Sequence, residues 1–158
     1  MYLIFDTETT GLPQNWKAPL TDYNNWPRCV QLAWQLHDLE GKLLNVKNYI
    51  IKPEGYDIPF NAEKIHGIST ERANNQGMPL AHVLLDFIND VKKCKFIIGH
   101  NISFDNSIIR KPTQNTKLCL PKLFQLPTTS SSYQLSVLSV VSCHCHHHHL
   151  LQSSSIVN

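Results

Sequence analysis

The sequence predicts an α/β fold: a mixed sheet, made of a three-stranded antiparallel meander plus parallel strands, flanked by helices. Three observations lead there. The chain opens with an apolar run, Tyr2-Leu3-Ile4-Phe5, that reads as a central buried strand over 2–6. Two stretches of near alternation follow, 28–37 (RCVQLAWQLH) and 42–51 (KLLNVKNYII), each the pattern of a strand with one buried face, with Gly41 marking the turn between them. Beyond residue 60 the apolar spacing becomes helical, returns to a short apolar run, and becomes helical again. The resulting order is β-β-β-α-β-α.

Pro53, Gly55 and Pro59 punctuate the loop after the meander. Asn61 is placed to cap a short helix over 62–65 that stops at Gly67. Ser69-Thr70-Glu71-Arg72 starts another helix, interrupted by Asn74-Asn75-Gln76-Gly77. From Pro79, a residue suited to a first helical turn, Leu80, Val83, Leu84, Phe87, Ile88 and Val91 recur at helical spacing to about Lys93. A strand is expected over 95–98 and a helix over 103–109. After Pro112 the character changes. Residues 116–120 are the expected fifth strand, 128–132 are a polar tract, and 143–149 are all Cys and His. Such biased composition argues against a well-packed terminal helix. The expected organisation is a core over 1–112, a remainder over 113–141, and a disordered low-complexity tail over 142–158.

The 158 residues are one domain's worth of chain, and 42% hydrophobic with 16% charged residues fits a globular protein. No apolar run of roughly 18 residues exists, and no basic segment precedes the short Met1–Ile4 stretch, so a cytoplasmic protein without a membrane partner is expected. Five cysteines without framework spacing read as reduced thiols. A net charge of +2 is too small to argue for nucleic acid. It conceals a split, however. Through Asp105 there are twelve acids against ten Lys/Arg, and after it four Lys/Arg and no acid.

Residues i and i+2 of a strand face the same side, so Asp6 and Glu8 project together from the end of the first strand. Two close carboxylates repel unless a cation lies between them, and hard divalent cations prefer oxygen ligands. On its own the pair could also be a solvated strand end. The Thr9-Thr10-Gly11-Leu12 segment that follows is a turn with Gly supplying positive φ. A second apolar strand ends in Gly99-His100-Asn101, with Phe104 and Asp105 at the next helix start. There Asp105 could equally serve the helix dipole.

Together, Phe5-Asp6-Thr7-Glu8-Thr9-Thr10-Gly11-Leu12-Pro13, Ile65-His66-Gly67-Ile68 and Gly99-His100-Asn101-Ile102-Ser103-Phe104-Asp105 resemble the first two motifs of the DEDD 3′–5′ exonucleases. The resemblance is to the DnaQ-like, DNA polymerase III epsilon-like branch of the ribonuclease-H-like superfamily. It implies a 3′–5′ exonuclease releasing nucleoside monophosphates from single-stranded or frayed DNA 3′ ends. It further implies two divalent cations, Mg²⁺ or Mn²⁺, ~3.5–4 Å apart. On that resemblance Asp6 bridges both ions, Glu8 ligates one and Asp105 binds the other. Thr9, Gly11, Leu12, Ile65, His66, Asn101 and Phe104 contact the terminal nucleotide. Trp16, Trp26 and Trp34 are expected to be packing residues. Residues 133–138 resemble the family's later helix, and partnership with DNA polymerase III subunits is implied.

The family's third motif, a His followed five residues later by an Asp, is not intact. The nearest formal match to its base is His149, with Ser154 where the Asp would stand. The absence of acids after Asp105 leaves two explanations, a natural member of impaired activity or a frameshifted, truncated or chimeric tail, of which the second is favoured. Two other functions stay open, an RNA 3′ exonuclease and an inactive module binding nucleic acid or polymerase. The contiguous Cys143–His146 cluster lacks the spacing of a structural zinc site.

Overall fold

A computed structural model describes residues 1–110 and the backbone of Ser136–Ser139. The first three strands are β1 (Tyr2–Thr9), β2 (Cys29–His37) and β3 (Leu43–Ile50). Three helices follow, α1 (Phe60–His66), α2 (Thr70–Gln76) and α3 (Leu80–Val91). Then come β4 (Phe96–Gly99), α4 (Ile102–Arg110) and β5 (Ser136–Ser139). The sheet order is β3-β2-β1-β4-β5. β1 pairs antiparallel with β2, which pairs antiparallel with β3. On its other side β1 is parallel to β4, and β4 to β5. The expected mixed sheet is therefore the one observed, with β1 at its centre.

Alternation along β1 divides its residues between two environments. Leu3, Phe5 and Thr7 are buried, whereas Ile4 and Asp6 are exposed and Glu8 is half-buried. The buried side joins Leu32, Trp34 and Leu36 of β2 to Val83, Leu84, Phe87 and Val91 of α3 in the main core. Phe87 meets both Phe5 and Trp34, at centroid distances of 5.3 and 5.1 Å. A polar tie fixes the same helix, since Asp90 accepts from the Trp34 indole at 3.0 Å. Asp90 is also paired with Lys93 at 2.7 Å and with Lys47 of β3 at 3.3 Å. A smaller cluster of Val30, Ile58, Ala62, Ile68 and Ala73 seats α1 and α2 against the other side of β2.

Several local expectations need correction. The first helix begins at Phe60 and is capped by Pro59, whose carbonyl accepts from Ala62 and Glu63; Asn61 lies within it. Asn74-Asn75-Gln76 do not interrupt α2. The Ser69 side chain caps that helix by accepting from the Arg72 N–H at 3.0 Å, buried Ala73 anchors it, and the exposed amides tolerate helix on its solvent side. β3 does not bury one face along its length. It is the edge strand: Lys47 and Tyr49 turn toward α3, whereas Val46, paired with Gln35, and Leu44 lie on the opposite face and stay exposed, as does Leu43. The segment expected to be a later helix contains β5 instead, whose backbone extends the open edge of β4. The strand expected over 116–120, the 128–132 tract, His149 and the Cys/His cluster lie outside the described residues.

Candidate active site

The end of β1 brings the two carboxylates together as alternation requires. Asp6 pairs opposite Ala33 and Glu8 opposite Gln31, so both rise from the β1–β2 ladder on one face. The register shifts between Glu8 and Thr9, and the chain leaves the sheet there. Its turn is held by Thr10, whose N–H donates to the Arg28 carbonyl at 3.0 Å while its hydroxyl accepts from the Arg28 N–H at 2.9 Å. The Thr9 hydroxyl donates to the Gly11 carbonyl at 2.6 Å. Gly11 has φ +146°, in the region that favours glycine.

Asp105 reaches this place from α4. Asp105 is only 2% exposed. Oδ1 accepts both the backbone N–H of Thr7, at 3.2 Å, and the Thr7 hydroxyl, at 2.6 Å. Burial is the chief reason the Asp105 pKa is pushed up to about 7; the Thr7 hydrogen bonds oppose that rise and the charge of Asp6 adds to it. The charge of Asp6 is felt at Asp105, so the two share one electrostatic neighbourhood. Buried Cys29 belongs to it as well. Desolvation pushes its thiol up to about 12, assisted by Asp105 and, more weakly, by Glu8.

Around the turn the expected nucleotide contacts take distinct positions. Leu12 and Ile65 are 72% and 62% exposed, large apolar side chains left in solvent. Phe104 is half-buried against the core. Asn101 is exposed at the start of α4, where its carbonyl accepts from Phe104 and Asp105. His66 is half-buried. Its Nδ1 accepts from the Ile68 N–H at 3.2 Å, which leaves the proton of the neutral ring on Nε2. That Nε2 is buried without a hydrogen-bond partner, although the Thr9 backbone is near enough to favour protonation. Burial outweighs that influence and lowers the His66 pKa, so the ring stays neutral.

DNA polymerase III subunit epsilon of Rickettsia conorii is 34% identical over 130 residues, covering 80% of this chain and 50% of that protein. The Rickettsia felis protein of the same name is 34% identical over 127 residues, covering 78% and 49% respectively. The chain belongs to the DnaQ-like DEDD 3′–5′ exonuclease family. It spans about half the length of the curated relatives it matches. Among solved structures, E. coli exonuclease I in complex with a 5cy-dA13 oligonucleotide has a TM-score of 0.56 at 24% identity, covering 69% of this chain and 22% of that one. A product-bound exonuclease I structure has a TM-score of 0.54. These likenesses place the fold in the ribonuclease-H-like class. No family model matches the chain.

For this DnaQ-like chain the donor set fits hard cations in kind. Asp6 and Glu8 offer carboxylate oxygens from one face, and the charge of Asp6 adds to the burial that raises the Asp105 pKa. Among the described residues, however, no group of three or more His, Cys, Asp or Glu side chains is disposed to hold a metal ion. Asp105 is turned to Thr7 instead. Sequence reasoning missed Thr7 and Cys29. The signal for Thr7 was present: a polar residue at an alternating position otherwise filled by Leu3 and Phe5 needs a buried partner. Cys29 gave no such signal. Trp26 and Trp34 are buried packing residues as expected, but Trp16 is 53% exposed.

Proposed function

We propose that this chain is a 3′–5′ exonuclease that hydrolyses DNA 3′ ends to nucleoside monophosphates. The observation that carries the reading is the placement of Asp6 and Glu8 on one face at the end of β1, with Asp105 electrostatically coupled to Asp6. Asp6, Glu8 and Asp105 would hold Mg²⁺ or Mn²⁺, which supplies a hydroxide nucleophile and stabilises the leaving oxygen. Thr7 orients Asp105 through two hydrogen bonds to one oxygen. The turn from Thr9 to Leu12, with the unpartnered Nε2–H of His66 beside it, offers donors to the terminal nucleotide. Leu12, Ile65 and Phe104 offer apolar surface to its base, and exposed Asn101 at the start of α4 would contact the same nucleotide. The proposed base in the attack is His149. Association with DNA polymerase III subunits is proposed from the curated relatives, which bear the epsilon-subunit name.

A second reading is favoured by one observation. No Asp or Glu follows Asp105, so no acid stands where a third motif would supply the fourth carboxylate. A module that holds a 3′ end without cutting it would have this composition. Incubating 5′-labelled DNA and matched RNA oligomers with Mg²⁺ or Mn²⁺ separates the readings. A descending DNA ladder, absent in EDTA, supports the exonuclease. Binding without shortening supports the module, and preferential shortening of RNA would move the substrate to RNA.

A further inference from the structure

We infer that Trp16 forms one wall of a nucleobase subsite beside the carboxylates, stacking a base of the single-stranded 3′ end. The inference rests on the 3′-end reading above and adds a residue to it. Three observations support the assignment. First, Trp16 differs from the chain's other two tryptophans. Trp26 and Trp34 are buried, whereas Trp16 keeps 53% of its surface exposed.

Second, the ring is held in place. Its centroid lies 5.6 Å from that of Phe104, tilted by 52°, and 6.5 Å from that of Trp26, edge-on at 80°. The backbone on both sides is tied down. Asn25 Oδ1 accepts from the Asn15 N–H at 2.6 Å, and its Nδ2 donates to the Asn15 carbonyl at 2.9 Å. The Trp26 indole donates to the Ala18 carbonyl at 3.2 Å. Trp16 thus sits between two anchored points, on a loop organised around it rather than merely passing through solvent. An exposed aromatic held this way binds a flat partner without the entropy cost of ordering a free side chain.

Third, the position is continuous with the candidate site. Phe104, on which Trp16 leans, directly precedes Asp105, and exposed Leu12 follows the carboxylates in the same loop that carries Trp16. Every base presents a π-face, so a stacking wall serves an enzyme or binder that must accept any terminal base.

The test is fluorescence anisotropy of 5′-fluorescein single-stranded oligomers on the full chain in Ca²⁺. It compares a base-bearing 3′ end with one whose last two nucleotides are abasic. Wild type is expected to prefer the base-bearing end. Trp16→Ala should lose roughly 10–100-fold in affinity for that end, with little change for the abasic one. Trp16→Phe should recover most of the loss. Equal losses on both oligomers, or no loss on either, would overturn the inference while leaving the 3′-end reading intact. No wild-type binding to any oligomer would overturn both. Circular dichroism of Trp16→Ala establishes that the variant is folded, and matched DNA and RNA oligomers identify which polymer supplies the base.

Discussion

Replacing Asp90 with Ala should destabilise the fold by about 3 kcal/mol, and the figure follows from what surrounds the carboxylate. Asp90 is buried, and three donors converge on it: the Trp34 indole at 3.0 Å, Lys93 at 2.7 Å and Lys47 at 3.3 Å. Truncation strands the Trp34 N–H inside the core, at a cost of about 1–3 kcal/mol. Breaking a buried charge pair costs about 3–5 kcal/mol when the remaining ion has no other partner. Lys47 keeps Asp86, so only part of that applies. Lys93 is half in solvent and its pair is screened, contributing at most about 1 kcal/mol. Urea unfolding measures the difference, and the melting temperature should fall by roughly 6–12 °C. Burial alone would raise the Asp90 pKa, but the hydrogen bonds from Lys93 and Trp34 and the charge of Lys47 leave it lowered. A lowered folded-state pKa means that this stabilisation is present above the unfolded value and is lost as pH falls through the folded one. The gap between wild type and Asp90→Asn should therefore hold from neutral pH down to about 4 and shrink below it. A loss under about 1 kcal/mol for Asp90→Ala, or a gap that widens in acid, would refute the reasoning.

Other perturbations give separate checks. Thr7→Val removes the hydroxyl that donates to Asp105 at 2.6 Å; nuclease activity should drop about 10–100-fold with the circular dichroism spectrum unchanged, and full activity would deny Asp105 its role. Gly77→Ala would place a Cβ 2.3 Å from the Ala73 carbonyl oxygen and 2.6 Å from the Lys52 nitrogen. Both neighbours are backbone, so a loss of about 1–3 kcal/mol is expected in thermal unfolding. Gly11→Ala meets no atom within 4 Å but must hold φ +146°. It should cost on the order of 1–2 kcal/mol through strain and lower affinity for 3′ ends in a binding titration.

The residues whose neighbours are dictated by period were legible in the sequence. Strand alternation put Asp6 and Glu8 on one face, and helical spacing identified the buried side of α3 through Val83, Leu84, Phe87 and Val91. What escaped were features decided by tertiary partners. Thr7 and Asp105 are 98 positions apart, and nothing local joins them. Alternation in β3 suggested a buried face, but burial depends on what lies above a strand, and Leu44 and Val46 sit on the face turned away from α3. Trp16 looked like packing because large aromatics usually pack. Its exposure follows from where Asn25 and Ala18 anchor the loop. Helix boundaries shifted for a similar reason, since the Pro59 carbonyl displaced Asn61 as the cap of α1.

The central claim is that Asp6, Glu8 and Asp105 support hydrolysis at a DNA 3′ end. Its most direct test is a gel time course on 5′-labelled single-stranded DNA in Mn²⁺, with wild type beside Asp6→Ala. Asp6 is exposed, so the variant should fold normally. A ladder descending from full length in wild type, with intact substrate in Asp6→Ala, is the predicted result. Intact substrate with folded wild type, or a ladder that persists in Asp6→Ala, would contradict it.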